Sequence, residues 1–160
     1  LQYALRKKKN YNIVPILCNS FFNLVQEGKS PLEDQRISSF LESFSNIVSE
    51  LGNKVFIIAG VDMAHVGPKF GDKDKVNEET LSKIKELDIR SLEYTEKMDA
   101  EGFYRSVEEE KDWRKICGLS SIYATLSTIN ADKGVLLDYD QALEPDTGSV
   151  VTFASLGFYS

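Results

Sequence analysis

The sequence predicts an α/β fold, a central and mostly buried sheet flanked by helices. Three observations carry that expectation: a short apolar run at residues 12–18 (NIVPILC), a helix-period stripe that begins after Ser30, and an almost wholly apolar, β-branched run at residues 55–61. Strand, amphipathic helix and buried strand in succession spell an α/β layout. With 160 residues, 42% hydrophobic and 28% charged, the chain is expected to form one domain over residues 1–160 around a sizeable core.

Taken in order, residues 12–18 suit a buried strand, with Pro15 marking an edge or bulge. Ser30, Pro31 and Glu33 then make a helix start: a cap, a proline at the first helical position and a capping-box acid. Ile37, Phe40, Leu41, Phe44, Ile47, Val48 and Leu51 repeat at helical spacing, and Gly52 supplies the stop. The run at residues 55–61 fits a central strand covered on both faces. From the cap Asn77, the spacing of Leu81, Ile84, Leu87 and Leu92 predicts a second helix, and Asp99 opens a third through Phe103 and Val107. A fourth follows Trp113, with Ile116, Leu119, Ile122, Tyr123, Leu126 and Ile129 on one face. Closing strands at residues 134–139 and 150–159 flank the turn-rich segment 144–148.

A formal charge of −6 argues against nucleic acid as partner, because phosphate binding needs clustered Lys and Arg. The basic cluster Arg6-Lys7-Lys8-Lys9 and the charge run at residues 108–111 read as solvated surface. No apolar run is long enough to span a bilayer, so no membrane association is expected. Two cysteines in separate elements, without metal-type spacing, point to reduced thiols and a cytoplasmic protein. The chain opens without an initiator methionine or signal peptide and reads as the interior of a longer polypeptide.

The chemistry gathers at two places. The run at residues 55–61 delivers Asp62 and His65, the only histidine, into a loop beyond a strand end, where ligands collect in open α/β sheets. Imidazole is the commonest protein metal ligand, and a carboxylate three positions away can bind the same ion or fix the ring's tautomer. The bare spacing is equally that of a strand ending. Cys117, in Ile116-Cys117-Gly118, falls near a helix start that favours a thiolate; its alternative is a small buried hydrophobe. Cys18 has only that second reading. Asp88 shares the inward face of its helix, where a carboxylate needs a partner unless it sits on a half-exposed flank, the simpler expectation. Lys69 and Arg114 read as surface charges able to attract an anion. A Ser-His-Asp order, a phosphate loop and a dinucleotide fingerprint are all missing.

Together, Leu1-Gln2-Tyr3, the segment VDMAHVGPKFGD, the segment KICGLSSIYATL, MDAEGFY and the closing SVVTFASLGFYS resemble the carboxy-terminal part of the Memo family, also called AmmeMemoRadiSam system protein B. The resemblance covers essentially the whole chain, and D-x-x-H-x-G followed about fifty residues later by I-C-G is its most specific element. It implies a fold like that of the class III extradiol dioxygenases and a pocket that holds non-haem iron or copper. Asp62, His65 and Cys117 are then the metal-binding and catalytic residues. The family's pocket uses two further histidines upstream of the stretch resembling Leu1-Gln2-Tyr3. The resemblance thus implies an incomplete site here, with the missing amino-terminal half of the domain as partner.

Two functions follow from different classes. One is a metal-dependent oxidoreductase acting on a small molecule or dioxygen, which requires Asp62, His65 and Cys117 to converge within metal-ligand reach. The other is a non-enzymatic peptide-binding or signalling module, using an aromatic groove with Lys69 or Arg114 at its end. A third, blander reading is a structural fragment.

Overall fold

The computed structural model describes Tyr3, residues 5–7 and residues 11–160; Leu1, Gln2, Lys8 and Lys9, on which parts of the resemblance and the basic cluster rest, lie outside the described residues. The architecture is α/β. Among the described residues, five α-helices, α1 (Phe22–Glu27), α2 (Gln35–Leu51), α3 (Glu78–Glu96), α4 (Ala100–Glu108) and α5 (Leu119–Thr128), flank a three-stranded antiparallel sheet of β1 (His65–Val66), β2 (Lys133–Glu144) and β3 (Ser149–Tyr159). β3 is central, with β1 on one side and β2 on the other.

Two helix starts, at Asn77 and Asp99, are those the capping residues predict, and the other two differ. Ser30 and Glu33 form the capping box, but around a single 3-10 turn at Pro31–Glu33; Asp34, accepting the Arg36 N–H at 2.9 Å, then caps α2. Asn77 caps α3 and Asp99 caps α4 through side-chain acceptance of Thr80 and Gly102 N–H groups. The fourth expected helix starts later than predicted, at Leu119, because residues 109–116 are spent in turns in which Lys111, Asp112 and Lys115 hold positive φ. The short α1 has no amphipathic repeat to announce it.

β2 and β3 form a long hairpin from Lys133↔Tyr159 to Glu144↔Ser149, with a bulge between Leu136 and Asp138. The hairpin lays β2 on α3, α3 packs on α4, α4 on α5 and α5 on α2. Their apolar faces meet in a core of Val25, Leu41, Met63, Leu92, Phe103, Tyr104, Val107, Tyr123 and Leu126. A smaller cluster of Ala64, Val66, Ile84 and Val150 lies beneath the site described below.

The first two expected strands are corrected. Residues 12–18 and 55–61 take no strand structure, and Ile13, Val14, Leu17, Phe56 and Ile58 are exposed. Strand propensity needs a neighbouring backbone to become a strand. The 55–64 segment meets β3 only at its end, where the Met63 N–H donates to the Thr152 carbonyl at 2.8 Å. Upstream it diverges from Ala154–Tyr159, and an apolar groove of about 820 Å³ lies between them. The stripe of α2 is likewise half covered: Leu41 and Val48 are buried, whereas Phe40, Ile47 and Leu51 are exposed.

Candidate metal centre

Asp62 and His65 arrive on the extended segment that becomes β1, and Cys117 on the turn that leads into α5. Two hydrogen bonds join these segments. The Gly118 N–H donates to the Asp62 carbonyl at 3.1 Å, and the His65 N–H donates to the Arg114 carbonyl at 2.7 Å. The Cys117 Sγ also lies 3.6 Å from the Asp62 carbonyl oxygen. On the other side, antiparallel pairing of His65 with Val151 and Val66 with Val150 fixes the loop to β3.

Two glycines make the close approach feasible. A Cβ at Gly118 would stand 2.6 Å from the Asp62 carbonyl oxygen and 2.8 Å from the Val61 side chain. Gly67 holds φ at 118°, and a Cβ there would meet the Ser149 Cα at 2.6 Å. The glycines of the D-x-x-H-x-G and I-C-G segments are thus contact residues, required by the distance between chains.

Asp62, His65 and Cys117 converge, which the metal-dependent reading requires: one ligand atom of each lies within 4.8 Å of the other two. That spread is close to twice a metal–ligand bond of about 2.0–2.3 Å. The His65 Nδ1 lies 3.1 Å from the Met63 carbonyl oxygen. A carbonyl only accepts, so in the neutral ring Nδ1 carries the hydrogen and Nε2 keeps its lone pair, 3.9 Å from the Asp62 carboxylate. Phe70 packs edge-on against the ring, with centroids 5.0 Å apart, and limits its rotation. The donors are one imidazole nitrogen, one carboxylate oxygen and one sulfur, a mixed set that suits a transition metal and leaves coordination positions open.

Electrostatics modify one expectation. Cys117 is exposed overall, yet desolvation of its thiol is the largest effect and pushes its pKa above the ordinary 9.0. The Asp62 backbone contact pulls the other way, and the Asp62 and Asp112 carboxylates add to the rise. The start of α5 therefore does not produce the thiolate expected from its position; a bound cation would have to favour it. Cys117 opens on a concave surface of about 600 Å³ that includes Phe22, Trp113 and Ile116, with the Lys115–Asp72 ion pair (2.8 Å) on its wall. The larger groove beside residues 55–61 carries none of the three donors.

Several sequence-predicted residues have other roles. Arg114 is no surface charge: it is fully buried and paired with Asp88, itself fully buried rather than on a half-exposed flank. Neither is available to a ligand from solvent. Lys69 is exposed but tied to Glu144 at 2.9 Å. Within the run 108–111, Glu110 turns inward to Arg114 instead of lying on a solvated face. Cys18 is a half-buried free thiol in the irregular segment 11–20. The residues missed in the sequence are Thr152 and Asp112. Thr152 is hidden within an apolar strand, and Asp112, whose carboxylate accepts the Ile116 N–H at 2.8 Å, lies in a charged run without periodicity.

A family model described as Memo-like protein matches residues 1–157, and the chain belongs to that family. No curated protein matches the sequence significantly. Among the described residues, no helix is long and apolar enough to cross a membrane.

Proposed function

We propose that this Memo-like chain supplies a three-donor pocket, Asp62, His65 and Cys117, for a non-haem iron or copper ion in a redox or dioxygenase-like protein. The observation that carries the reading is the convergence of the three ligand atoms within 4.8 Å across two separate segments, with the His65 tautomer that leaves Nε2 free. Thiolate and imidazole favour copper, iron or zinc over hard cations, and one carboxylate is compatible with either redox metal. When bound, the metal would supply Lewis acidity and one-electron chemistry at its open positions. The chain's own residues orient and shield it: Met63 and Phe70 hold the imidazole, and Gly118 lets the sulfur approach. The concave surface beside Cys117 gives a small molecule access. The reading places the protein in a reducing compartment such as the cytoplasm, where Cys117 stays available as a ligand.

The test is metal content by elemental analysis after equilibration with iron, copper or zinc. About one equivalent in the wild type, lost in His65→Ala and Cys117→Ala, is the expected result. Equal metal in the wild type and both variants, or none in the wild type, would overturn the reading.

A further inference from the structure

Behind the three donors the structure closes a ring of hydrogen bonds through the protein interior. The Ala64 N–H donates to the Thr152 Oγ1 at 2.8 Å, and the Thr152 hydroxyl donates to the Asp88 Oδ2 at 2.6 Å. The other Asp88 oxygen accepts from the Arg114 Nη1, and the Arg114 carbonyl accepts the His65 N–H at 2.7 Å. Ala64 and His65 are neighbours, so the ring is complete. Asp88, Arg114 and Thr152 are fully buried, and water does not compete for their hydrogen bonds.

The ring has a direction that only an acceptor at Asp88 can set. A hydroxyl has one hydrogen. With that hydrogen given to the Asp88 Oδ2, the Thr152 lone pairs face the Ala64 N–H. The Tyr139 hydroxyl also donates to the Asp88 Oδ2, at 2.8 Å, and the Ser91 hydroxyl accepts from the Arg114 Nη2 at 3.0 Å. One carboxylate on α3 therefore holds β3 through Thr152, the His65 segment through Thr152 and Arg114, and the Cys117 turn through Arg114.

We infer that Asp88 is a positioning residue for the Asp62, His65 and Cys117 donors, acting through Thr152 and Arg114 on the two segments that carry them. The inference rests on the metal-pocket reading and extends it to a side chain that touches no metal. In Asp88→Asn the side chain keeps its size but has a single acceptor oxygen. If that oxygen faces Arg114, an NH₂ group meets two hydroxyl donors; turned the other way, the NH₂ meets the guanidinium.

The experiment compares the wild type, Asp88→Asn, Thr152→Val and Thr152→Ser with cobalt(II) as probe. Its readouts are the thiolate-to-cobalt charge-transfer band, the dissociation constant, and hydrogen exchange of the Ala64 and His65 amides without metal. Thr152→Val is nearly isosteric and guards against Asp88→Asn failing to fold; Thr152→Ser keeps the hydroxyl. Expected are a roughly 10- to 100-fold loss of cobalt affinity with a weakened band in Asp88→Asn and Thr152→Val, and near wild-type behaviour in Thr152→Ser. The Ala64 and His65 amides should exchange faster in the Val variant than in the Ser variant, with Phe103 unchanged. A folded Val variant with unaltered affinity, band and amide exchange overturns the inference. If the wild type binds no cobalt, the metal reading falls. In that case faster exchange at Ala64 and His65 in the Val variant upholds the ring, and unaltered exchange overturns it.

Discussion

The sulfur of Cys117 lies 3.6 Å from the carbonyl oxygen of Asp62, a contact that spans 55 positions of sequence. It is possible because Gly118, the next residue, has no side chain to hold the two segments apart. The three candidate donors are thus brought together by backbone contact alone.

Gly118→Ala tests that contact. Its φ of −77° suits any residue, so the effect is steric and not conformational. The added methyl must displace the Asp62 carbonyl or the Val61 side chain, at a cost of about 1–3 kcal/mol in denaturant unfolding. Metal affinity should fall by at least about tenfold, since a 1.4 kcal/mol distortion of the pocket already corresponds to that factor. Competition against a chelator of known affinity measures it.

Arg114→Met leaves the Asp88 carboxylate buried without its cation. A loss of about 3–5 kcal/mol is expected from urea unfolding. The double variant Asp88→Leu/Arg114→Met removes the unpaired charge at Asp88 and should regain only part of that stability, because the Thr152 and Tyr139 hydroxyls lose their acceptor and Glu110 loses its cation. It should not regain metal affinity, because Thr152 then has no acceptor for its hydroxyl. Stability and ligand positioning would separate in one pair of proteins.

Glu110 gives the pH dependence. Burial pushes its carboxyl above the ordinary 4.5, Arg114 pulls it back, and the Asp112 and Asp88 carboxylates add to the rise. Its Oε2 is buried with no hydrogen-bond partner among the described residues. The native state therefore holds this proton more tightly than the unfolded chain. The corresponding stabilisation is complete below about pH 4.5 and is lost as pH rises through the higher native value. Glu110→Gln is neutral throughout, so its stability relative to the wild type should increase with pH across that window and then level off. Unfolding free energies from pH 4 to about 8, spanning the ordinary carboxylate and neutral ranges, would show it. A difference that is flat or shrinks with pH contradicts this account of Glu110.

How legible all this was in the sequence depended on whether a feature is local. Helix caps are local, and Asn77 and Asp99 act where their spacing placed them. The β2–β3 hairpin was legible from its turn residues, although β2 runs on to Glu144, beyond the apolar stretch. The strands expected at residues 12–18 and 55–61 depend on a partner backbone, and composition cannot report whether one is in reach. Asp62, His65 and Cys117 were each legible as separate candidates, and only the resemblance to a known family grouped them into one pocket; the structure brings them within 4.8 Å. The inward turn of Arg114 could not be anticipated, because an arginine in a charged run looks the same whether it meets water or a buried carboxylate.

In the proposed pocket Cys117, His65 and Asp62 bind one metal ion together. X-ray absorption at the metal edge of the iron- or copper-loaded chain tests it most directly. Expected is one sulfur scatterer at about 2.3 Å beside nitrogen and oxygen scatterers at about 2.0–2.2 Å, with the sulfur lost in Cys117→Ser. A first shell of nitrogen and oxygen alone in the wild type, unchanged by Cys117→Ser, would contradict it.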